Sequence, residues 1–147
     1  MFKKILLGAF SFVLLTCASV QALSMVSVAT DNAKVHAEAG EKSPVLWVLG
    51  AGFPLNVMDD QGDWLKVQDY VGDTGWIAAP QTDRKPHMIV KADLVEIRSG
   101  PSKRFKLVGR ANNGVVFQTV KVKTSWVKVK HQSGLTGWID RSQLWGW

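Results

Sequence analysis

Four lysines and one tryptophan lie close together in the last quarter of the 147-residue chain. They occupy residues 117–123 and 126–130, two segments rich in β-branched residues, and the second segment alternates strictly. Alternation places Val127 and Val129 on one face and the polar residues on the other. The lysines and the tryptophan are Lys121, Lys123, Trp126, Lys128 and Lys130. Amines around an indole favour an anionic ligand; the alternative is a solubilising face that protects sheet edges.

The other residues that could carry chemistry are scattered. The histidines, His36, His87 and His131, have no serine or carboxylate at a spacing that indicates a catalytic triad. The acidic run 59–63 lacks the distal glutamate of a helix-loop-helix calcium site, so we interpret it as a hairpin turn. Cys17 is the only cysteine. We therefore expect no enzyme activity, no metal site and no cofactor.

An internal repeat indicates how these residues are positioned. A shift of 62 positions aligns residues 26–85 with residues 88–147 without a gap. The apolar character persists at most other positions while few identities remain, which is typical of two copies of one small domain. The matched motifs are Trp64–Val67 with Trp126–Val129 and Gly72–Ile77 with Gly134–Ile139.

Each copy has the pattern of short strands. Thr124 and Ser125 are predicted to form a tight hairpin connection, and the counterpart in the first copy is Leu55–Met58, the turn 59–63 and Trp64–Val67. No segment after residue 22 has a sustained period of 3.6, so we expect little or no α-helix. Short strands with frequent turns favour a sheet curled into a small barrel. The predicted class is all-β.

The first residues have the pattern of an export signal. Lys3 and Lys4 precede an apolar run of 11 residues, too short to span a bilayer, and small residues follow at 20–22. We interpret residues 1–22 as a removed signal peptide. The alternative is a lipoprotein signal in which Cys17 is acylated, although Thr16 departs from that pattern.

Two domains are predicted in the remaining chain. The segment 79–86 is polar, lies between prolines and shows no periodicity, so it is interpreted as irregular. The predicted organisation is therefore domain one at 23–79, a linker at 80–86 and domain two at 87–147. Each domain of about 60 residues has a small core, to which tryptophans can add apolar area.

The two copies differ in charge. Residues 23–85 contain 5 Lys or Arg and 9 Asp or Glu, a net charge of −4, whereas residues 86–147 contain 11 and 3, a net charge of +8. Such asymmetry bears on partners and on association rather than on fold.

The repeat also sorts the seven tryptophans. Four of them recur at matched positions and are predicted to form the fold. Trp47, Trp145 and Trp147 have no counterpart in the other copy, so Trp47 and Trp145 are candidates for ligand contact. The alternative is packing, in the core for Trp47 and at the seam between copies for Trp145.

Each copy resembles a bacterial SH3-like domain. The second copy is the better match, through its first motif 95–102, its central strand 126–129, and Thr136–Ile139 with the closing residues 144–146. The first copy has 35–40 in place of the Arg-Ser-Gly-Pro turn that begins at Arg98. The resemblance implies two tandem half-open β-barrels of the cell envelope, with Arg98 as a further candidate for ligand contact. It is specific for fold and weak for function.

Taken together, these features predict an exported, non-catalytic binding or adaptor module that recognises peptidoglycan or its peptides. The second interpretation is a protein-interaction scaffold in which the oppositely charged copies direct pairing, and the oligomeric state stays open. Export argues against nucleic acid as a partner, and no membrane span is predicted after residue 22. The expected location is the periplasm, with a lipid anchor through Cys17 as the alternative.

Overall fold

A computed structural model describes residues 24–147 of the chain. The predicted signal peptide at 1–22 and Cys17 lie outside the described residues. Regular structure over 24–147 consists of β-strands and two 3-10 helices of three residues each, which confirms the expectation of little or no α-helix. No helix in this range is long and apolar enough to cross a membrane.

The first sheet contains seven antiparallel strands. Their order across the sheet is β3-β2-β6-β5-β4-β1-β7, with a 3-10 helix, η1, just before the last strand. The elements are β1 (Ser24–Val28), β2 (Ala33–His36), β3 (Val45–Leu49), β4 (Pro54–Asp60), β5 (Trp64–Gln68), β6 (Thr74–Ala78), η1 (Ala79–Gln81) and β7 (Thr82–Asp83).

The second sheet repeats the first, strand for strand. Its order is β10-β9-β13-β12-β11-β8-β14, and each of its elements begins within one residue of the position that the shift of 62 predicts. The predicted internal repeat is therefore confirmed as a repeat of structure. The elements are β8 (His87–Val90), β9 (Leu94–Arg98), β10 (Leu107–Asn112), β11 (Val116–Lys123), β12 (Trp126–Lys130), β13 (Thr136–Asp140), η2 (Arg141–Gln143) and β14 (Leu144–Gly146).

Each sheet wraps around its own apolar core, because alternate residues of every strand point inward. Val127 and Val129 are almost completely buried, as their alternation with lysine predicts. The core of the first repeat contains Val26, Val28, Ala33, Val35, Leu49, Leu55, Leu65, Val67 and Ile77. The core of the second contains Met88, Val90, Val95, Ile97, Ala111, Phe117, Val127, Val129, Ile139 and Leu144.

The repeated glycine of the Thr-Gly-Trp motif has a packing role. A Cβ placed on Gly137 would lie 2.5 Å from Cγ2 of Ile97, and one on Gly75 would lie 2.5 Å from Cγ1 of Val35. Real Cβ atoms do not approach that closely, so only glycine lets β6 and β13 cross beside the neighbouring core strand. The motif is thus explained by close packing of backbone and side chain.

Two secondary-structure expectations are wrong in detail. The acidic turn is shorter than 59–63, since Asp59 and Asp60 extend β4 and pair with β5. The segment expected to be irregular from residue 79 contains η1 and then β7, which pairs with β1. Residues 79–83 have weak periodicity because a three-residue turn and a two-residue strand are too short to show one. Residues 84–86 connect the two sheets.

The repeats pack against each other at this connection. Nδ1 of His87 lies 3.0 Å from Oγ of Ser27, and Tyr70 donates a hydrogen bond of 2.9 Å to Oδ1 of Asn113. Ile89 is fully buried although it points away from the core that Met88 and Val90 enter. The contact between the repeats at this connection therefore contains both hydrogen bonds and a buried apolar side chain.

Candidate functional site

Strands β11, β12 and β13 place the predicted lysines on one outward surface of the second sheet. Lys121 lies opposite Lys128, and Lys123 lies opposite Trp126. Lys128 also lies opposite Trp138 on the next strand. Directly opposed residues point to the same side of a sheet. We call the surface of Lys121, Lys123, Trp126, Lys128, Lys130 and Trp138 the basic face.

A β-bulge in β11 completes the basic face. The pairing of β11 with β12 shifts between Thr119 and Lys121, so Val120 is the extra residue. In an unbulged strand, Val120 would lie opposite Lys128 and Lys121 would point the other way. Alternation in the sequence predicts the same face for the lysines of β11 and β12. This prediction is correct only because the bulge shifts the register of β11 by one residue.

Among residues 24–147, no carboxylate forms an ion pair with the amines of the basic face. The only ion pair within 4.0 Å among residues 24–147 joins Arg98 to Glu96. Lys121, Lys123 and Lys130 are exposed, and Lys128 is half-buried beside Trp138. Four unpaired positive charges on one side of a small sheet produce a local field that attracts anions.

Arg98 has structural contacts that the resemblance does not indicate. Its Nη1 donates a hydrogen bond of 3.3 Å to the carbonyl of Phe105, and its Nη2 pairs with Glu96. It lies opposite Trp138 in the register, next to the basic face. Its side chain holds the loop 99–106 against β9 and carries a neutralised charge. A ligand contact by Arg98 remains a prediction.

A groove borders the basic face beside Trp126. It has a volume of about 500 Å³ and lies between the hairpin tip at 123–125 and the loop after β9. Lys103 and Arg104 line it together with Lys123, opposed by one carboxylate from Asp140. Sequence reasoning missed Lys103 and Arg104. Their position directly after the resemblance motif at 95–102 was the available signal.

The structure does not bring Trp47 and Trp145 to the basic face. Trp47 is in β3 of the first repeat, where it packs against the apolar core, and its buried Nε1 has no hydrogen-bond partner among residues 24–147. Trp145 is in β14, next to Arg141 and Trp147 in a cleft between the repeats. The predicted site residues therefore divide among three places.

The histidines are separated in space as well as in sequence. Nδ1 of His36 donates to the carbonyl of Ser43 at 2.8 Å, and the ring packs edge-on against Trp64. His87 lies at the joint between repeats, and His131 packs against Phe117. Among residues 24–147, no three His, Cys, Asp or Glu side chains are grouped so as to hold a metal ion.

Several solved structures are similar to this chain at low identity. NlpC2 from Trichomonas vaginalis is 12% identical with a TM-score of 0.39, over 86% of this chain and 49% of that one. NlpC1 from the same organism is 14% identical with a TM-score of 0.39, over 93% of this chain and 50% of that one. An NlpC/P60 family protein from Bacillus cereus ATCC 10987 is 14% identical with a TM-score of 0.39, over 84% of this chain and 56% of that one. The chain thus spans about half the length of these proteins.

Sequence comparison identifies the two repeats directly. No curated protein matches the chain. The family model described as bacterial SH3 domain matches it twice, at residues 29–83 and 91–146. These ranges cover both sheets except for the first strand of each repeat, β1 and β8. The chain belongs to the bacterial SH3 domain family, of which it contains two copies in tandem.

Proposed function

We propose that this protein is an exported, non-catalytic module of the bacterial envelope that binds peptidoglycan or its peptides. Bacterial SH3 domains are generally cell-wall-binding modules and occur in envelope proteins. The observation that carries the proposal is the set of unpaired amines around Trp126, next to a groove lined by further cations. Stem peptides of the wall carry carboxylates, which such amines attract, and the indole offers an apolar surface to the ligand.

The amines and the groove have separate roles in this proposal. Lys121, Lys128 and Lys130 supply a field that concentrates and orients an anionic polymer, and this contribution weakens as salt screens it. Trp126, Lys123 and the loop 101–104 form the concave wall that a peptide would enter. The site residues and the periplasmic location belong to the proposal, with a lipid anchor at Cys17 as its alternative form.

The experiment is co-sedimentation of the predicted mature chain, residues 23–147, with isolated cell-wall sacculi at low and moderate salt. We expect salt-sensitive depletion from solution, reduced by Lys128→Glu and by Trp126→Ala. The matched controls are Lys66→Glu and Trp64→Ala, which make the same changes at the corresponding positions of the first repeat. Circular dichroism and the unfolding midpoint establish that each variant is folded.

Two results would contradict the proposal. One is the absence of depletion at any salt concentration. The other is equal loss of binding in each variant and its matched control, because the second repeat would then have no special role. A wall-binding protein that uses the basic face must respond more to Lys128→Glu than to Lys66→Glu.

A second candidate function is a protein-interaction scaffold. It is favoured by the net charges of −4 on residues 23–85 and +8 on residues 86–147, and by the edge strand β3, where Val45, Leu46 and Val48 are about half exposed. Exposed apolar edges favour strand pairing between chains. Sedimentation that depends on protein concentration in the absence of sacculi, and that weakens in salt, would support this scaffold.

A further inference from the structure

A second candidate site lies between the repeats, away from the basic face. It is a cleft of about 960 Å³ with one wall from each repeat. The first repeat contributes Met25, Tyr70 and Arg84, and the second contributes Arg141, Trp145 and Trp147. None of these residues belongs to the basic face or to the groove beside Trp126. The cleft therefore requires an occupant of its own.

The edge of a β-strand borders this cleft. Four consecutive residues, 144–147, line it, although successive side chains of a strand point to opposite faces. The border is therefore the strand edge rather than one of its faces. In the part of the chain that the structure describes, β14 pairs only with β8 and is the last strand of the second sheet. Because the N–H of Leu144 already donates to the carbonyl of Arg141, the groups that the other side of β14 leaves for an added peptide strand are the N–H and C=O of Gly146 and the C=O of Leu144.

The cleft is cationic. Arg84 uses Nη1 to donate a hydrogen bond of 3.1 Å to the carbonyl of Met25, and neither Arg84 nor Arg141 has a carboxylate within 4.0 Å among residues 24–147. The acidic residue of the cleft, Asp69, is occupied: its Oδ1 accepts from the backbone N–H groups of residues 71, 72 and 73. Two guanidinium groups are thus available to carboxylates, which they bind in a forked geometry.

The fold does not require these residues. At the corresponding positions of the other repeat the chain has side chains of different size or charge, which maintain the same strands. The pairs are Arg141 with Ala79, Trp145 with Asp83, Trp147 with Lys85 and Tyr70 with Gln132. Two arginines and three aromatic side chains meet only because the repeats pack in this orientation.

We propose that the cleft binds an acidic peptide in extended conformation. The peptide adds to the free edge of β14, its carboxylates pair with Arg84 and Arg141, and its apolar side chains pack against Trp145 and Trp147. This proposal goes beyond cell-wall binding, since it names a second site and a different occupant. A soluble peptide tests it without sacculi, so the two proposals can fail separately.

The test is a titration of the chain, residues 23–147, with a capped pentapeptide that alternates valine and aspartate. The indole N–H signals of the tryptophans are followed by NMR and assigned with Trp145→Phe and Trp147→Phe. We expect saturable shifts of these two signals. The control peptide has asparagine in place of aspartate. Its affinity should be at least roughly ten-fold weaker, since the charged hydrogen bonds are lost.

Substitutions locate the site. Arg141→Gln and Arg84→Gln should each raise the Kd roughly ten-fold. Lys121→Gln removes the same charge from the basic face and should change the Kd by less than about two-fold, as expected for screened surface charge. Absence of indole shifts, shifts confined to Trp126, equal binding of the asparagine peptide, or an unchanged Kd in both arginine variants would each overturn the proposal.

Discussion

The outward faces of the two repeats share a backbone and differ in charge. Both faces contain a tryptophan pair, Trp64 with Trp76 in the first repeat and Trp126 with Trp138 in the second, at the same register positions. The four lysine positions carry a net charge of +4 in the second repeat and zero in the first. The pairs are Lys121 with Asp59, Lys123 with Gln61, Lys128 with Lys66 and Lys130 with Gln68.

The loop beside the outward face is also more positively charged in the second repeat than in the first. Lys103, which lines the groove of the second repeat, corresponds to Glu41 in the first, while Arg104 corresponds to Lys42. Both repeats therefore have the tryptophan pair and the apolar core, and they differ in the charge around the tryptophans. The tryptophan pair by itself is a property of the fold, so any difference in binding between the repeats must depend on the charges.

The largest expected effect tests whether the shared backbone is equally tight in both repeats. Gly137→Ala should lower the free energy of unfolding by about 2–3 kcal/mol, because overpacking forces neighbours out of place. The new Cβ would meet Ile97, the Arg98 carbonyl at 2.9 Å and Val108 at 3.1 Å. Gly75→Ala should cost less, since Leu46 there lies 3.5 Å away and is about half exposed. Urea unfolding followed by tryptophan fluorescence measures both.

Gly50→Ala is the control for this pair. Gly50 has no backbone φ in the left-handed region, and its nearest neighbour to an added Cβ is 3.9 Å away. Its unfolding midpoint should match that of the unsubstituted chain. If Gly137→Ala is as neutral as Gly50→Ala, the motif glycine is not needed for packing.

The next effect concerns the loop after the second strand of each repeat. His36 and Arg98 occupy corresponding positions, and each donates to the carbonyl seven residues later, at Ser43 and Phe105. His36→Ala should cost about 2 kcal/mol, because it removes a partly buried hydrogen bond of 2.8 Å and the edge-on contact with Trp64. Arg98→Ala should cost less than about 1 kcal/mol, since its bond to the Phe105 carbonyl is 3.3 Å long and its ion pair is with the exposed carboxylate of Glu96.

Arg98→His distinguishes loop anchoring from ligand contact. If Arg98 only holds the loop, histidine should replace it with little change in stability or in sacculus binding, as His36 does in the first repeat. Reduced sacculus binding at unchanged stability would instead assign a ligand contact to Arg98. Hydrogen exchange of the amides of residues 99–106 reports the loop directly.

Much of this comparison is predictable from sequence. The shift of 62 positions predicts which strands correspond, and alternation in Trp126–Lys130 predicts which side chains are buried. These features are local, since they depend on strand period and on turn residues. The bulge at Val120 is invisible to such reasoning because it appears only when two strands are paired.

The cleft and the loop contacts depend on longer-range geometry. Arg84 and Arg141 are 57 positions apart in sequence and meet only through the packing of one repeat on the other. Arg98 has the chemistry of a ligand contact in sequence, and its bonds to Glu96 and Phe105 become evident only in the folded loop. Periodicity contains no information about either arrangement.

Transfer of charge between the repeats tests whether the lysines alone make the second repeat different. Lys121→Asp, Lys123→Gln and Lys130→Gln together give the second repeat the charge pattern of the first. Sacculus binding should fall about ten-fold, since each exposed charge contributes a fraction of a kcal/mol.

The reciprocal triple variant is Asp59→Lys, Gln61→Lys and Gln68→Lys in the first repeat. Combined with the first triple variant, it should restore much of the binding if charge around a tryptophan pair is sufficient. Failure of this restoration would show that the groove with Lys103 and Arg104 is also required. The binding isotherm at two salt concentrations separates the two outcomes.

The smallest expected effect concerns the hairpin tips. Gly62 and Thr124 occupy corresponding positions at the tips of the two hairpins, and both have a left-handed φ, +82° and +51°. Glycine adopts this conformation freely, whereas a β-branched residue is strained in it. Thr124→Gly should therefore raise the free energy of unfolding by about 0.5–1 kcal/mol, and Gly62→Thr should lower it by about 1 kcal/mol. Thermal unfolding of the two single variants measures both changes.

The result bears on function because Thr124 lines the groove beside Trp126, whereas Gly62 has no atom within 4 Å of an added Cβ. Strained residues persist where the surrounding structure or a function maintains them. If Thr124→Gly stabilises the chain and weakens sacculus binding, the threonine is maintained for the groove at a cost in stability. If it stabilises the chain and leaves binding unchanged, the second repeat tolerates the strain without using it, and the functional difference between the tips lies in the lysines that flank Thr124. A loss of stability would contradict the argument from φ.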